Sequence, residues 1–248
     1  YAVGLPDLHA GKGPVGMAFL SQGIFYPHLI GNDIGCGMSL YQTPIALEQY
    51  RQEKWQKKLR ALKSLANIKL VDEETSPIKD LGSIGGGNHF AEFQQVAEIF
   101  DETAFAQTNI DRCQLLLLVH SGSRGYGSEI NGYFTEKGLA EDSEKARFYL
   151  ALHDDALFWA RRNRQLVAEK LHTYLGFSSQ MQLLFDLPHN FVEKTPHGWL
   201  HRKGAVSAKT DFVVIPGSRG TLTYLAQPNS NTEKSLDSLS HGAGRKWA

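Results

Sequence analysis

Glycine-rich turns cut the first and last thirds of this chain into short apolar runs, and that punctuation limits what it can fold into. Over residues 1–45 the runs 17–20, 24–26 and 38–41 are separated by Gly, Pro and Asn, the pattern of strands joined by turns. The last third returns to it with 181–187, 199–206 and 212–215, and the run 115–119 has the length of a buried strand. Polar chemistry therefore falls on loops. Between these segments Leu47, Tyr50, Trp55, Leu59, Leu62 and Leu65 recur at roughly helical spacing, which predicts one amphipathic helix over 46–68. Residues 130–175 are helical in pattern and highly charged, predicting a helical hairpin or two consecutive helices. Residues 227–240 read as a polar surface loop. The expected architecture is a single α+β domain over 1–248, with mixed sheets whose strand ends and loops converge on a central metal cleft and with peripheral helices.

Composition narrows the function. With 42% hydrophobic residues the chain can bury a sizeable core, and Lys plus Arg equals Asp plus Glu at 26 each. No overall basic field exists to hold a long nucleic acid, so any polyanion must be gripped locally. Two cysteines cannot make a disulfide framework, which favours a reducing, cytoplasmic setting. No stretch has the apolar length of a membrane span, and the first residues lack a signal-peptide pattern. Because the chain opens at Tyr1 without a methionine and stops soon after a glycine-rich segment, a fragment at both ends is expected.

Among the 10 histidines, the informative ones sit at strand ends or in glycine turns. His89 follows Gly85-Gly86-Gly87, His120 leads Ser121-Gly122-Ser123-Arg124-Gly125, and His189 follows an apolar run. Glycine lets the backbone approach a ligand closely, and the amides of such loops can cradle phosphate. Asp33-Ile34-Gly35-Cys36-Gly37 puts a carboxylate and a thiol three apart, where a tight turn can aim both at one point. The alternative is that Cys36 is a small buried hydrophobe and Asp33 a turn residue. The stretch 82–88 has neither the P-loop ending nor the dinucleotide-fold spacing, and an ordinary turn remains open for it, as it does for 216–220 and 241–245. Arg124, Arg219 and Arg245 each lie in a glycine loop, and guanidinium forks match phosphate oxygens, so the set points to a phosphorylated substrate. His201-Arg202-Lys203-Gly204 is a compact basic cluster whose plainer reading is a solvated turn. His28, His153, His172 and His197 lack such surroundings and read as surface or core residues.

Taken in order, PDLHAGKGPVG (6–16), GNDIGCGM (31–38), GSIGGGNHF (82–90), HSGSRGYG (120–127), HNF (189–191), HRKGA (201–205), PGSRGT (216–221) and SHGAGR (240–245) resemble the RtcB RNA ligase family over nearly the whole chain. The resemblance implies an RNA ligase of tRNA splicing or RNA repair. It would join an RNA 3′-phosphate, or 2′,3′-cyclic phosphate, to a 5′-hydroxyl with GTP and manganese, two ions in all. A histidine is first guanylylated, GMP passes to the RNA 3′-phosphate, and the 5′-hydroxyl displaces it. Carried over motif by motif, Asp33, Cys36, His89, His120 and His189 match the metal ligands and His241 the histidine that accepts GMP. The guanylate pocket matches Asn88, His89, Phe90, Ala91, Glu92, His189, Asn190, Pro216, Gly217, Ser218, Arg219, Thr223, His241, Gly242, Ala243 and Gly244. Arg124 would hold an RNA phosphate or triphosphate, and Arg245 joins it and His241 among the catalytic residues.

Arg219 departs from the family, which usually has Met there, and the chain stops before the family's C-terminal segment and its guanine-contacting Lys. One branch of the family is associated with a release-factor-like protein and RNA repair, and Arg219 with the spacing between His89 and His120 could belong to that branch. Two further readings compete: a metal-dependent phosphohydrolase that opens cyclic phosphates without joining, and a metal-stabilised RNA-binding module. The balanced charge weighs against the second of these. Ligand chemistry alone points to zinc, and manganese rests on the resemblance.

Overall fold

The computed structural model describes residues 1–11, 13–70, 80–177, 179–218 and 220–242. The chain divides into two compact units, the first comprising Tyr1–Gly37, Gly122–Ala160 and Leu187–Ala248 and the second Met38–Ser121 and Arg161–Asp186. The expected mixed α+β class holds, with several small sheets and few helices.

In the first unit the main sheet runs β1-β2-β10-β9 and is antiparallel throughout, with β1 at Ala2–His9, β2 at Val15–Ser21, β9 at Asn190–Thr195 and β10 at Gly198–Lys203. Three two-stranded ladders surround it in the chain: β3 (Ile24–Phe25) with β7 (Leu139–Ala140), β11 (Ala205–Ser207) with β14 (Ser238–Ser240), and β12 (Val213–Pro216) with β13 (Thr223–Ala226). Their shared interior is aromatic and branched: Phe25, Ile30, Ile34, Ile130, Phe134, Tyr149, Val192 and Trp199 form one buried cluster. Rings pack at tilted angles within it, Phe25 lying 5.0 Å from Trp199 and 5.5 Å from Tyr149 between centroids.

The second unit is built on the sheet β5-β6-β4-β8, with β4 at Gly37–Ala46, β5 at Phe90–Gln94, β6 at Gln114–Ser121 and β8 at Gln182–Pro188. Residues 115–119 are all buried in β6, which explains why the sequence there is a continuous apolar run rather than an alternating one. Against this sheet pack Leu65, Val167, Ala168 and Leu171, and a second cluster joins Ile45, Trp55, Leu115 and Leu175.

Among the described residues there are four α-helices: α1 at Gln52–Ala61, α2 at Glu102–Ala106, α3 at Gly125–Tyr133 and α4 at Glu144–Leu175. Asp101 caps α2 by accepting the amides of Thr103 and Ala104, each at 2.9 Å. The expected 46–68 helix is shorter than its apolar spacing suggested. Residues 47–49 and 65–67 are single 3-10 turns, because the Leu47 amide is spent on the Cys113 carbonyl and Ser64 caps the second turn through its hydroxyl. The expected helical stretch 130–175 is interrupted by β7, so it holds the end of α3 and all of α4. Residues 227–240 are not loop throughout, since β14 pairs with β11 through backbone groups that polar side chains conceal. The apolar run 199–206 is two strands, turning at Gly204. No described helix is long and apolar enough to cross a membrane.

Candidate metal and nucleotide site

In the first unit the Asp33–Cys36 segment is a turn closed by the Cys36 amide on the Asp33 carbonyl at 3.1 Å. Its outer side is clamped by β9 and the residue before it. The His189 amide donates to the Cys36 carbonyl at 2.7 Å, the Gly35 amide to the Asn190 carbonyl at 2.8 Å, and the Asn190 side-chain amide to the Asp33 carbonyl at 3.1 Å. Asn190 also accepts the Gly204 amide at 2.8 Å, so one side chain ties the carboxylate-thiol turn to the end of β10. The Asp33 carboxylate accepts the Arg124 amide at 3.1 Å, and Arg124 has a φ of 59°. Gly122 lies so close to that carboxylate that any Cβ there would collide with both of its oxygens. Asp33, Cys36, Asn190, His189 and Arg124 are thus brought into one neighbourhood.

His241 belongs to the same unit. Its Nδ1 lies 2.9 Å from the Asp7 carboxylate, and its ring is 4.7 Å from that of His189 between centroids. Burial raises the Asp7 pKa, but the hydrogen bond and charge of His241 outweigh it and leave the carboxyl below its ordinary range. The backbone of His241 is fixed by donation to the Gly204 carbonyl at 3.4 Å. Gly242 lies directly against Pro216, and Pro216 is paired in register with Thr223. Gly217 donates to the Leu222 carbonyl and Thr221 to that of Ser218, closing the 216–223 hairpin. So Pro216, Gly217, Ser218, Thr223, His241 and Gly242 also converge. Arg219, Ala243, Gly244 and Arg245 lie outside the described residues.

In the second unit, β5 and β6 set the two histidines. Phe90 pairs with His120 across the ladder, so His89, one residue before β5, stands at the same sheet end. The His89 and His120 rings lie 5.1 Å apart between centroids at 75°. Asn88 is exposed, while Phe90, Ala91 and Glu92 are half-buried along β5, with Glu92 accepting from the Gln94 amide at 2.6 Å.

Nothing in the local pattern of residues marks what holds this end of the sheet in place. Asn163 on α4 is fully buried, accepts the amides of Gly82 and Ser83 at 2.7 and 3.2 Å, and donates to the Ser83 carbonyl and the Ser121 hydroxyl at 3.0 Å each. Arg164 donates to the Ser121 carbonyl at 2.8 Å and pairs with Asp186, which also accepts from Ser39. Asn163 and Arg164 look like surface residues in a highly charged helical pattern, and nothing local marks them as buried.

Two further features were legible only in part. Asp7 stands in a glycine-flanked stretch without a spacing that links it to His241. The 201–204 cluster is not a solvated turn: it closes β10 and is buried, with His201 receiving the Tyr26 amide at 2.8 Å and Arg202 donating to Glu193 at 2.5 Å and Ser238 at 2.8 Å. Of the histidines without special surroundings, His153 is a core residue whose Nε2 accepts the Val192 amide at 3.1 Å.

The donors fit a metal ion. The second unit offers the imidazoles of His89 and His120, and the first offers the thiol of Cys36 and the carboxylate of Asp33, which keeps its place because residue 122 has no side chain. Thiolate, imidazole and carboxylate are all standard ligands of divalent transition metals.

The whole of this chain matches the family model described as tRNA-splicing ligase RtcB, over residues 1–69 and 63–248, and the chain belongs to that RtcB family. Among its relatives, the RNA-splicing ligase RtcB2 of Escherichia coli is 47% identical over 99% of this chain and 68% of its own length. The tRNA-splicing ligase RtcB of Methanococcus maripaludis is 26% identical over 99% and 73%, and the RNA-splicing ligase RtcB of Escherichia coli K12 is 27% identical over 97% and 72%.

Proposed function

We propose that this chain is an RNA ligase that joins RNA 3′-phosphate or 2′,3′-cyclic phosphate ends to 5′-hydroxyl ends, with GTP and manganese, through a guanylylated His241. The observation that carries this reading is the pairing of His241 with Asp7. A carboxylate that accepts the Nδ1 proton leaves the lone pair of Nε2 free, which is the tautomer a nucleophilic imidazole needs. Attack by Nε2 on the α-phosphorus of GTP forms a nitrogen–phosphorus bond and releases pyrophosphate. The imidazolium charge that develops is offset by Asp7. GMP then passes to the RNA 3′-phosphate, restoring the neutral ring.

Asp33, Cys36, His89, His120 and His189 would hold manganese, two ions across the set, and the bound metal would polarise phosphate oxygens and offset developing charge. Asn88 to Glu92, Asn190, Pro216 to Arg219, Thr223 and Gly242 to Gly244 would hold the guanylate, and Arg124 and Arg245 the RNA phosphates. The reading is supported by family membership, by the donor types, and by the convergence of 216–218, 223, 241 and 242 within one unit. A cytoplasmic setting and a release-factor-like partner belong to the same proposal.

The test is a joining assay with an end-labelled RNA bearing a 2′,3′-cyclic phosphate and a second RNA bearing a 5′-hydroxyl. Joined product that requires GTP and manganese is expected. Opening of the cyclic phosphate with no joining under any nucleotide would mean a phosphohydrolase instead.

A further inference from the structure

The chain is balanced in charge overall, but over 51–69 seven bases stand against the single acid Glu53. Asp72, Glu73 and Glu74 follow, outside the described residues, and counting them still leaves seven bases to four acids over 51–74. Two of the bases are spent within the fold. Arg51 donates to the Glu48 and Tyr50 carbonyls, and Lys58 to the Leu175 carbonyl at 3.0 Å. Lys54, Lys57, Arg60, Lys63 and Lys69 are exposed, and none of these five makes an ion pair among the described residues. Their outward placement follows from the other face of α1. Trp55 is turned inward, 4.9 Å from Phe93 and 5.1 Å from Phe177 between ring centroids, and Leu59 packs beside it. Lys54, Lys57 and Arg60 recur every third residue, about 4.5 Å apart along the helix axis, and Lys63 continues the series past the helix end.

The second unit gives this series a direction. Trp55 lies in the buried cluster with Leu115, and Leu65 in the one with Leu117 and Val119, so the segment follows β6 from Leu115 towards His120. Among the described residues of 51–70 no large hydrophobic side chain is exposed. A protein interface is built around aromatic or aliphatic anchors, and stacking on bases needs aromatic faces. This surface has neither. What it offers is positive charge in a row, the complement of a phosphate backbone.

We infer that Lys54, Lys57, Arg60 and Lys63, with Lys69, form a docking surface for the phosphate backbone of the RNA body, beyond the ends that react. The inference deepens the ligase reading and rests on it for RNA as the partner. The surface holds RNA through charge without reading its sequence, and it supplies the local grip that a chain of zero formal net charge needs.

The test is equilibrium binding across a range of salt, with a long hairpin RNA and a short oligonucleotide that both end in a 3′-phosphate. It compares the wild-type protein with K54Q/K57Q/R60Q/K63Q and with the charge-conserving K54R/K57R/R60K/K63R. The neutral variant is expected to bind the hairpin about tenfold or more weakly, and to lower the slope of log affinity against log salt by about 3 to 4. The short oligonucleotide should stay within about twofold of wild type, and the charge-conserving variant should keep the hairpin's affinity. Wild-type affinity and salt slope of the neutral variant for the hairpin would overturn the surface as an RNA site, whatever acidic protein it then binds. Equal weakening of the short oligonucleotide would overturn it as well, by placing these charges at the reacting end. If the wild-type protein binds the hairpin through these residues but yields no joined product, the ligase reading falls and the surface stands. Joining by the wild-type protein with hairpin binding unaltered in the neutral variant leaves the ligase reading and removes the surface. If the neutral variant does not fold, lysine acylation of the wild-type protein followed by mass spectrometry takes its place. Protection of Lys54, Lys57 and Lys63 by the hairpin and not by the short oligonucleotide is expected, and unchanged labelling would overturn the surface.

Discussion

His241 and Asp7 are separated by 234 positions in the chain and meet at 2.9 Å, with the imidazole Nδ1 facing the carboxylate. This contact decides which nitrogen of His241 is available, so Asp7 is a positioning residue for the proposed nucleotide transfer. Asp7→Asn replaces an acceptor with a group that can also donate, and the ring can then settle in the wrong tautomer. Formation of the GMP adduct should slow by about 100-fold or more, with little change in thermal stability. Single-turnover guanylylation measured beside a melting curve checks this, and an unchanged rate would remove Asp7 from the account.

Gly122 is the second sensitive point. A methyl group there must displace the Asp33 carboxylate, which also accepts the Arg124 amide. Gly122→Ala should weaken manganese binding by about 10- to 100-fold, the range seen when the surroundings of a metal ligand are disturbed. Titration followed by the loss of the free-manganese paramagnetic signal gives the value directly.

In the second unit, Arg164 is almost wholly buried and paired with Asp186. Arg164→Met should destabilise the protein by about 3–5 kcal/mol, because it leaves a carboxylate without its partner. The double variant with Asp186→Leu should recover a large part of that loss. Urea denaturation of the two variants and the wild type forms the comparison.

His201 carries a pH dependence. Burial lowers its pKa from 6.5 to about 4. The folded protein therefore resists a proton that the unfolded chain accepts. The stability this confers is complete above about pH 6.5 and is lost as the pH falls from there towards about 4, at about 1.4 kcal/mol for each pH unit. His201→Gln removes the titrating group, so its stability should fall less steeply between pH 6.5 and 4.5 than that of the wild type. Parallel slopes would contradict the assignment.

Much of the strand content could be read locally. The run 115–119 is apolar throughout because both faces of β6 are covered, and 17–20 lies wholly within β2. The turn at Asp33–Cys36 was visible as glycine beside a carboxylate and a thiol. What stayed hidden depends on distant partners. β14 sits in a polar stretch and is a strand only because β11 offers it a backbone edge. Asn163 and Arg164 are polar residues whose hydrogen-bond partners are distant in the chain, 42 to 81 positions from Asn163 and 22 to 125 from Arg164. Lys203 read as part of a solvated turn, because local composition does not reveal that a basic residue ends a buried strand. Asp7 had no spacing signal at all, since its contact with His241 exists only once β1 and the chain after β14 are in place.

The central claim is that His241 carries GMP. Incubating the protein with GTP labelled on the α-phosphate and manganese, then separating protein from nucleotide under denaturing conditions, tests it most directly. The account predicts a covalent adduct that is acid-labile and alkali-stable, as a phosphoramidate is, and that is absent from His241→Ala. No adduct with the wild-type protein, or an undiminished adduct in His241→Ala, would contradict it.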